Sequence, residues 1–126
     1  MRILICGDRD WSDRAAIDQV LLDLKPTLVI EGDARGADRM AGEAADALGI
    51  EKLVFPANWD KYKRAAGPIR NQQMLDEGHP DLVIAFHDNL AESKGTRDMV
   101  RRSMKAGLAV LLYAHADGLQ AVESKI

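Results

Sequence analysis

The sequence predicts an α/β protein built on one doubly wound, five-stranded parallel sheet. Two observations predict it. Short apolar runs alternate with segments of helical period in the order βαβαβαβαβ, and those runs are apolar throughout rather than apolar at every second position. Strands apolar throughout are buried on both faces, as happens when crossover helices cover both sides of a parallel sheet. A third observation sets the scale: 126 residues, 47% of them hydrophobic, suffice for one core and are too few for two, so a single domain spanning residues 1–126 is expected.

The elements follow in order. "ILIC" (3–6), "TLVIE" (27–31), "KLVF" (52–55), "LVIAF" (82–86) and "LAVLLY" (108–113) are the expected buried strands. Between the first two, Ile17, Val20, Leu21 and Leu24 form an i, i+3, i+4, i+7 stripe, with Ser12 as the expected N-cap of its helix. Met40, Ala41, Ala44, Ala45 and Leu48 form a second stripe, whose small residues permit close packing. A third helix is expected from about Gly67 to Glu77, ended by "GHP", and a fourth from about Thr96 to Ala106, ended by Gly107. Right-handed crossovers then favour the Rossmann-like strand order 3-2-1-4-5. The segment 113–126 has no clear core pattern and reads as a tail or short helix.

A charged fraction of 29% and a net charge of −3 describe an ordinary soluble surface and argue against a large electrostatic grip on nucleic acid or an anionic membrane. The single cysteine, Cys6, lies in a strand and suits a reducing cytoplasm. No window of 18 apolar residues occurs and no apolar leader precedes the first strand, so the expected protein is neither secreted nor membrane-spanning. One cysteine and three dispersed histidines give no metal-site spacing, and no metal or cofactor is expected. His79 precedes a proline in a turn and His115 lies in the tail, leaving His87 near the expected crevice.

Ligands in open α/β sheets bind at the carboxyl ends of strands where the strand order reverses, here between the first and fourth strands. "CGDRDWSD", "EGDARGAD" and "HDNLAESKGTRDM" deliver glycines and arginines to that rim. Helix N-termini and arginines converging on one crevice suit phosphate. The loop residues expected to touch a ligand are Gly7, Asp8, Arg9 and Trp11; Gly32, Asp33, Ala34, Arg35, Gly36 and Asp38; Asn58; Gly67, Pro68, Arg70 and Asn71; and Gly95, Thr96 and Arg97. Each has a bland alternative. The glycines could serve turn geometry alone, Trp11 and Trp59 could anchor packing instead of stacking on a base, and Asn58 and Asn71 could cap helices or turns.

"AAGPIRNQQM" raises a sharper question. A helix opened by Gly67-Pro68 puts Arg70 in its first turn, where the dipole opposes a cation by roughly 0.3 to 1 kcal/mol. The arginine then awaits a negative partner, either a ligand phosphate or one of Asp8, Asp33 and Asp38. "GDARGAD" lacks the Lys-Ser/Thr ending of a P-loop and "CGDRDW" the spacing of a dinucleotide fingerprint.

The combination "GDRDW", "EGDARGAD", "PANW", "AAGPIRNQQM", "VIAF" and "GTRDM" resembles the YspA-like branch of the SLOG superfamily, the group that includes the DprA and Lonely Guy proteins. The likeness runs to about Tyr113, with "AGPIRNxxM" its most specific piece. It implies a Rossmann-like fold and a site for a nucleotide or nucleotide-derived ligand, matched by Gly7, Arg9, Gly32, Gly36, Asp38, Arg70, Asn71, Gly95 and Thr96. It also implies self-association, as a homodimer or higher homo-oligomer. Lonely Guy enzymes cleave nucleoside monophosphates with an Arg and the Glu that ends "PGGxGTxxE". This chain reads "ESKGTRDM", with Met99 at the glutamate position and Asp98 expected about 100° away around the helix. N-glycoside cleavage passes through a cationic sugar that a carboxylate stabilises, and methionine offers no charge.

The expected function is therefore binding of a nucleotide-like small molecule, as a sensor, carrier or sequestering module. A nucleotide or nucleoside N-glycoside hydrolase or transferase is the alternative. Single-stranded nucleic acid ranks third, for want of a basic stripe with interleaved aromatics.

Overall fold

The computed structural model of the chain describes residues 1–123. The elements run β1 (Arg2–Gly7), α1 (Arg14–Leu24), β2 (Leu28–Glu31), α2 (Ala37–Leu48), β3 (Glu51–Val54), α3 (Trp59–Tyr62), α4 (Ala66–Gly78), β4 (Leu82–Phe86), α5 (Lys94–Lys105), β5 (Ala109–Ala114) and β6 (Gly118–Ala121), with single 3-10 turns at Lys63–Ala65 and Leu90–Glu92. The sheet order is β3-β2-β1-β4-β5-β6. β1 to β5 are parallel in the expected order 3-2-1-4-5, and β6 adds an antiparallel sixth strand to β5.

Alternation along β1 divides the core. Ile3 and Ile5 face α1 and α2 with Ile17, Val20, Leu21 and Ala41, while Leu4 and Cys6 face α4 and α5 with Met74, Met99 and Val100. Ala41, Ala44 and Ala45 are fully buried, which lets α2 approach the sheet closely.

Four expectations are corrected. β3 is an exposed edge strand, because among the described residues no further strand covers its free side, and Leu53 and Val54 remain more than a third exposed. Asp13, not Ser12, caps α1, its carboxylate accepting from the Ala16 N–H at 3.1 Å. The expected tail contains a hairpin instead, with residues 124–126 outside the described part. His115 clasps the hairpin, holding Asp88 through Nδ1 and Asp13 through Nε2, both at 2.8 Å, and stacks on Trp11. Such polar anchoring leaves no apolar period to read.

The fourth correction concerns Arg70. α4 begins at Ala66, directly after the 3-10 turn, so Arg70 is its fifth residue and sits beyond the first turn. The dipole penalty expected from Gly67-Pro68 does not apply there.

Among the described residues no helix is long and apolar enough to cross a membrane.

Candidate functional site

The carboxyl ends of β1 and β4 lie side by side, Gly7 paired with Phe86, and a crevice of about 590 Å³ opens above them. Backbone packing there leaves no room for side chains. A Cβ on Gly7 would overlap the Phe86 carbonyl oxygen and come within 2.8 Å of the Ala37 Cβ. The Asp8 N–H donates to the Phe86 carbonyl at 2.9 Å, and the Asp8 carbonyl accepts from the N–H groups of Trp11 and Ala37, both at 3.1 Å. The loop after β1 is thereby tied to the start of α2.

Gly36 makes that tie possible. Its φ is +85°, and a Cβ on it would strike the Asp8 carbonyl oxygen and lie 2.5 Å from that of Arg9. Rigid backbone on both sides cannot move aside, so Gly36→Ala is expected to destabilise the protein by about 2 kcal/mol. A urea melt checks it. An unchanged midpoint would mean that the turn has another conformation.

Arg70 is 8% exposed, and its Nη1 donates to the Gly32 carbonyl while Nε donates to Asn71 Oδ1 at 3.1 Å. Asn71 Nδ2 in turn donates to Asp98 Oδ2 at 3.0 Å, and Arg102 Nε donates to the same oxygen at 2.8 Å. This chain of charge-assisted bonds joins the β2 turn to α4 and α5 across the crevice floor.

Asp38, 5% exposed, lies beside Gly32 and Arg70 without a direct ion pair to that arginine among the described residues. Burial pushes its carboxyl up to about 6, against the opposing pull of Arg70 and the N–H groups of Ala34 and Gly32. Desolvation also lowers Arg70 from its usual range, with Asp38 opposing and the like charge of Arg9 adding to the fall. Cys6, at the crevice floor, is pushed far up by burial and stays a thiol.

Most of the expected residues are brought together. Gly7, Asp8, Arg9, Ala34, Asp38, Gly67, Pro68, Arg70, Asn71, Gly95 and Thr96 line the crevice. Gly32, Asp33 and Arg35 line a smaller cavity of about 220 Å³ beside it, which Arg9, Ala34 and Arg70 also border. Four expected residues border neither cavity. Trp11 is 4% exposed and packs edge-on against Phe86 and Tyr113, a core anchor. Gly36 is turned behind the Asp8–Arg9 backbone, Asn58 caps α3 by accepting from the Lys61 N–H at 3.1 Å, and Arg97 donates to the Ala91 carbonyl at 3.1 Å.

Residues that sequence reasoning left out include Arg64, Glu92, Ser93, Lys94 and Asp98, all lining the crevice with Trp59 and His87. Asp98 turns in rather than away, because Gly95, Asp98 and Arg102 share an i, i+3, i+7 stripe facing Asn71. That spacing was legible in "GTRDMVRR". Ser93 caps α5, accepting from the Thr96 N–H at 3.1 Å, and brings the helix start to the rim. Trp59 is 47% exposed with the Arg9 guanidinium 5.6 Å from its ring centre.

Among known proteins, residues 1–62 match the model of the YspA, cpYpsA-related SLOG family. The Gene 61 protein of Mycobacterium phage D29 is 34% identical over 122 residues, an alignment covering 89% of this chain and 95% of that relative. The X-ray structure of DNA processing protein A (DprA) from Streptococcus pneumoniae shares the fold, with a TM-score of 0.73 at 20% identity. That likeness covers 94% of this chain and 52% of the DprA chain, so the present chain spans about half the length of that neighbour. The chain belongs to the YspA, cpYpsA-related SLOG family.

Proposed function

We propose that the chain binds a nucleotide or nucleotide-derived small molecule in the main crevice, as a sensor, carrier or sequestering module. The observation that carries this reading is the arrangement at the strand reversal: the start of α5 at Lys94–Thr96, the Gly7 backbone, and the cations Arg9, Arg64, Lys94 and Arg70 border one crevice. Arg9, Arg64 and Lys94 make no ion pair among the described residues, which leaves their charge available. N–H groups at a helix start and guanidinium forks suit phosphate, and the exposed Trp59 ring offers a base a surface for stacking. A volume of about 590 Å³ falls in the range of small-molecule sites.

Native purification, denaturation and mass spectrometry of the released solute test the reading, followed by calorimetry with the nucleotide found. Arg9→Ala is expected to weaken binding roughly ten-fold to a hundred-fold, the value of one charge-assisted phosphate contact, with little change in melting temperature. Unchanged affinity would remove Arg9 from the site.

Asp38 favours a second reading, N-glycoside hydrolysis or transfer. It brings a carboxyl that titrates at about 6 into the crevice, suited to moving a proton near neutral pH, and Asp8 and Asp98 add carboxylates where Met99 has none. Incubation with nucleoside monophosphates, watching for free base, separates this reading from simple binding; loss of product in Asp38→Asn would assign the proton transfer. The DprA neighbour is by name a DNA processing protein, so a labelled single-stranded oligonucleotide belongs in the same series of titrations.

The buried, protonated Cys6 fits a reducing cytoplasm, where we place the protein. The exposed Leu53 and Val54 on the free edge of β3 offer a seam for self-association, which light scattering measures.

A further inference from the structure

We infer that the smaller cavity beside the crevice is a subsite for a second phosphate, so that the ligand is a nucleoside diphosphate or another pyrophosphate-linked nucleotide. The inference rests on the nucleotide reading above and adds to it the number and placement of phosphates. At about 220 Å³ the cavity is smaller than sites that hold whole small molecules, yet it adjoins the crevice through a wall of Arg9, Trp59 and Arg70. A ligand in the crevice can reach it past that wall.

The lining favours an anion. Arg9, Arg35, Arg39 and Arg70 border the cavity, against the single carboxylate of Asp33. Two of the four are only loosely engaged at the surface, Arg35 with Asp10 at 3.0 Å and Arg39 with Asp33 at 3.2 Å. Exposed pairs of this kind contribute little and are readily exchanged for a better partner.

Arg70 supplies an independent pointer. It is more than nine-tenths buried, and its Nη1 and Nε are engaged by Gly32 and Asn71, whereas its Nη2 has no partner among the described residues. No side-chain nitrogen or oxygen sealed from solvent lacks a hydrogen bond among those residues, so this free end of the fork opens onto cavity space. A guanidinium whose one free donor end faces cavity space, repelled by the like charge of Arg9, is suited to an anion bridging the two cavities.

Isothermal titration of the full chain with AMP, ADP, GMP and GDP tests this. At least one diphosphate is expected to bind ten-fold or more tighter than its monophosphate, as one or two added charge-assisted contacts predict. Arg39→Ala is expected to shrink that ratio towards one, with the melting temperature monitored as a check on folding. Equal affinity for mono- and diphosphate, or a ratio that Arg39→Ala leaves intact, would overturn the second-phosphate subsite while leaving nucleotide binding in place. Failure of all four nucleotides to bind would overturn both.

Discussion

Arg70→Ala is expected to lower the stability of the ligand-free protein by about 3 kcal/mol, the scale set by losing a buried, hydrogen-bonded charge from a network. For a domain of this size that corresponds to a fall in melting temperature of roughly 10 °C. Three losses combine. The Gly32 carbonyl and Asn71 Oδ1 lose their donor, Asp38 loses the cation that holds its carboxyl down, and the space above Gly32 empties. Arg70→Met keeps most of the volume without the charge, so it separates packing from electrostatics and is expected to retain only part of the lost stability. Arg70→Lys restores the charge but not the fork, and is expected to recover stability better than ligand affinity. A melting temperature unchanged in both Arg70→Ala and Arg70→Met would mean that the side chain is held only for its ligand.

The sequence leaves that sign open, since a ligand phosphate and an aspartate partner predict opposite signs, and the reason is local. Gly67-Pro68 looks like a helix start, yet α4 begins earlier, so Arg70 escapes the dipole and its nearest partners are the distant Gly32 carbonyl and the amide of its chain neighbour Asn71. Whether an arginine answers to a ligand or to a backbone oxygen 38 residues away is a tertiary fact with no periodic signal. The strand order was legible, because five short apolar runs and their crossovers leave few topologies. So were the loops around the crevice, since strand ends fix where loops emerge. Trp11 was not, because a loop tryptophan beside a glycine reads the same whether it faces solvent or Phe86. β6 escaped for the related reason that "GLQA" is a short, largely exposed edge strand held by hydrogen bonds that any sequence can make.

The second large effect is a loss of stability as pH rises, the reverse of the ordinary behaviour of paired carboxylates. Asp38 is raised to about 6 and Glu31 to about 7, from ordinary values of 3.8 and 4.5, burial being the largest cause in each. Glu31 ends β2 beneath the Gly32 turn, 3% exposed, accepting from the Asp33 N–H, with Asp38 and Asp33 raising it further and Lys52 opposing. The sign follows from proton counting: between the unfolded and folded values the folded chain holds more protons, so stability is complete below about pH 4 for these two groups and declines as pH rises through 6 and 7. Each shift of two units or more corresponds to something on the order of 3 kcal/mol when converted at 1.36 kcal/mol per unit. His115, raised by Asp88 and Asp13, acts in the same direction above its ordinary 6.5. The lowered Asp13 and Asp88 act oppositely and only at the acid end. Urea melts are therefore expected to give higher stability near pH 5 than near pH 8. Glu31→Gln and Asp38→Asn, which hold a neutral group at each position, are each expected to flatten the decline. A bound phosphate near Arg70 adds negative charge beside Asp38 and raises it further, so ligand binding is expected to take up a proton near neutral pH. Calorimetry in two buffers of different ionisation enthalpy reads that proton directly, and a stability profile that instead rises from pH 5 to pH 8 would show both carboxylates to be ionised and paired.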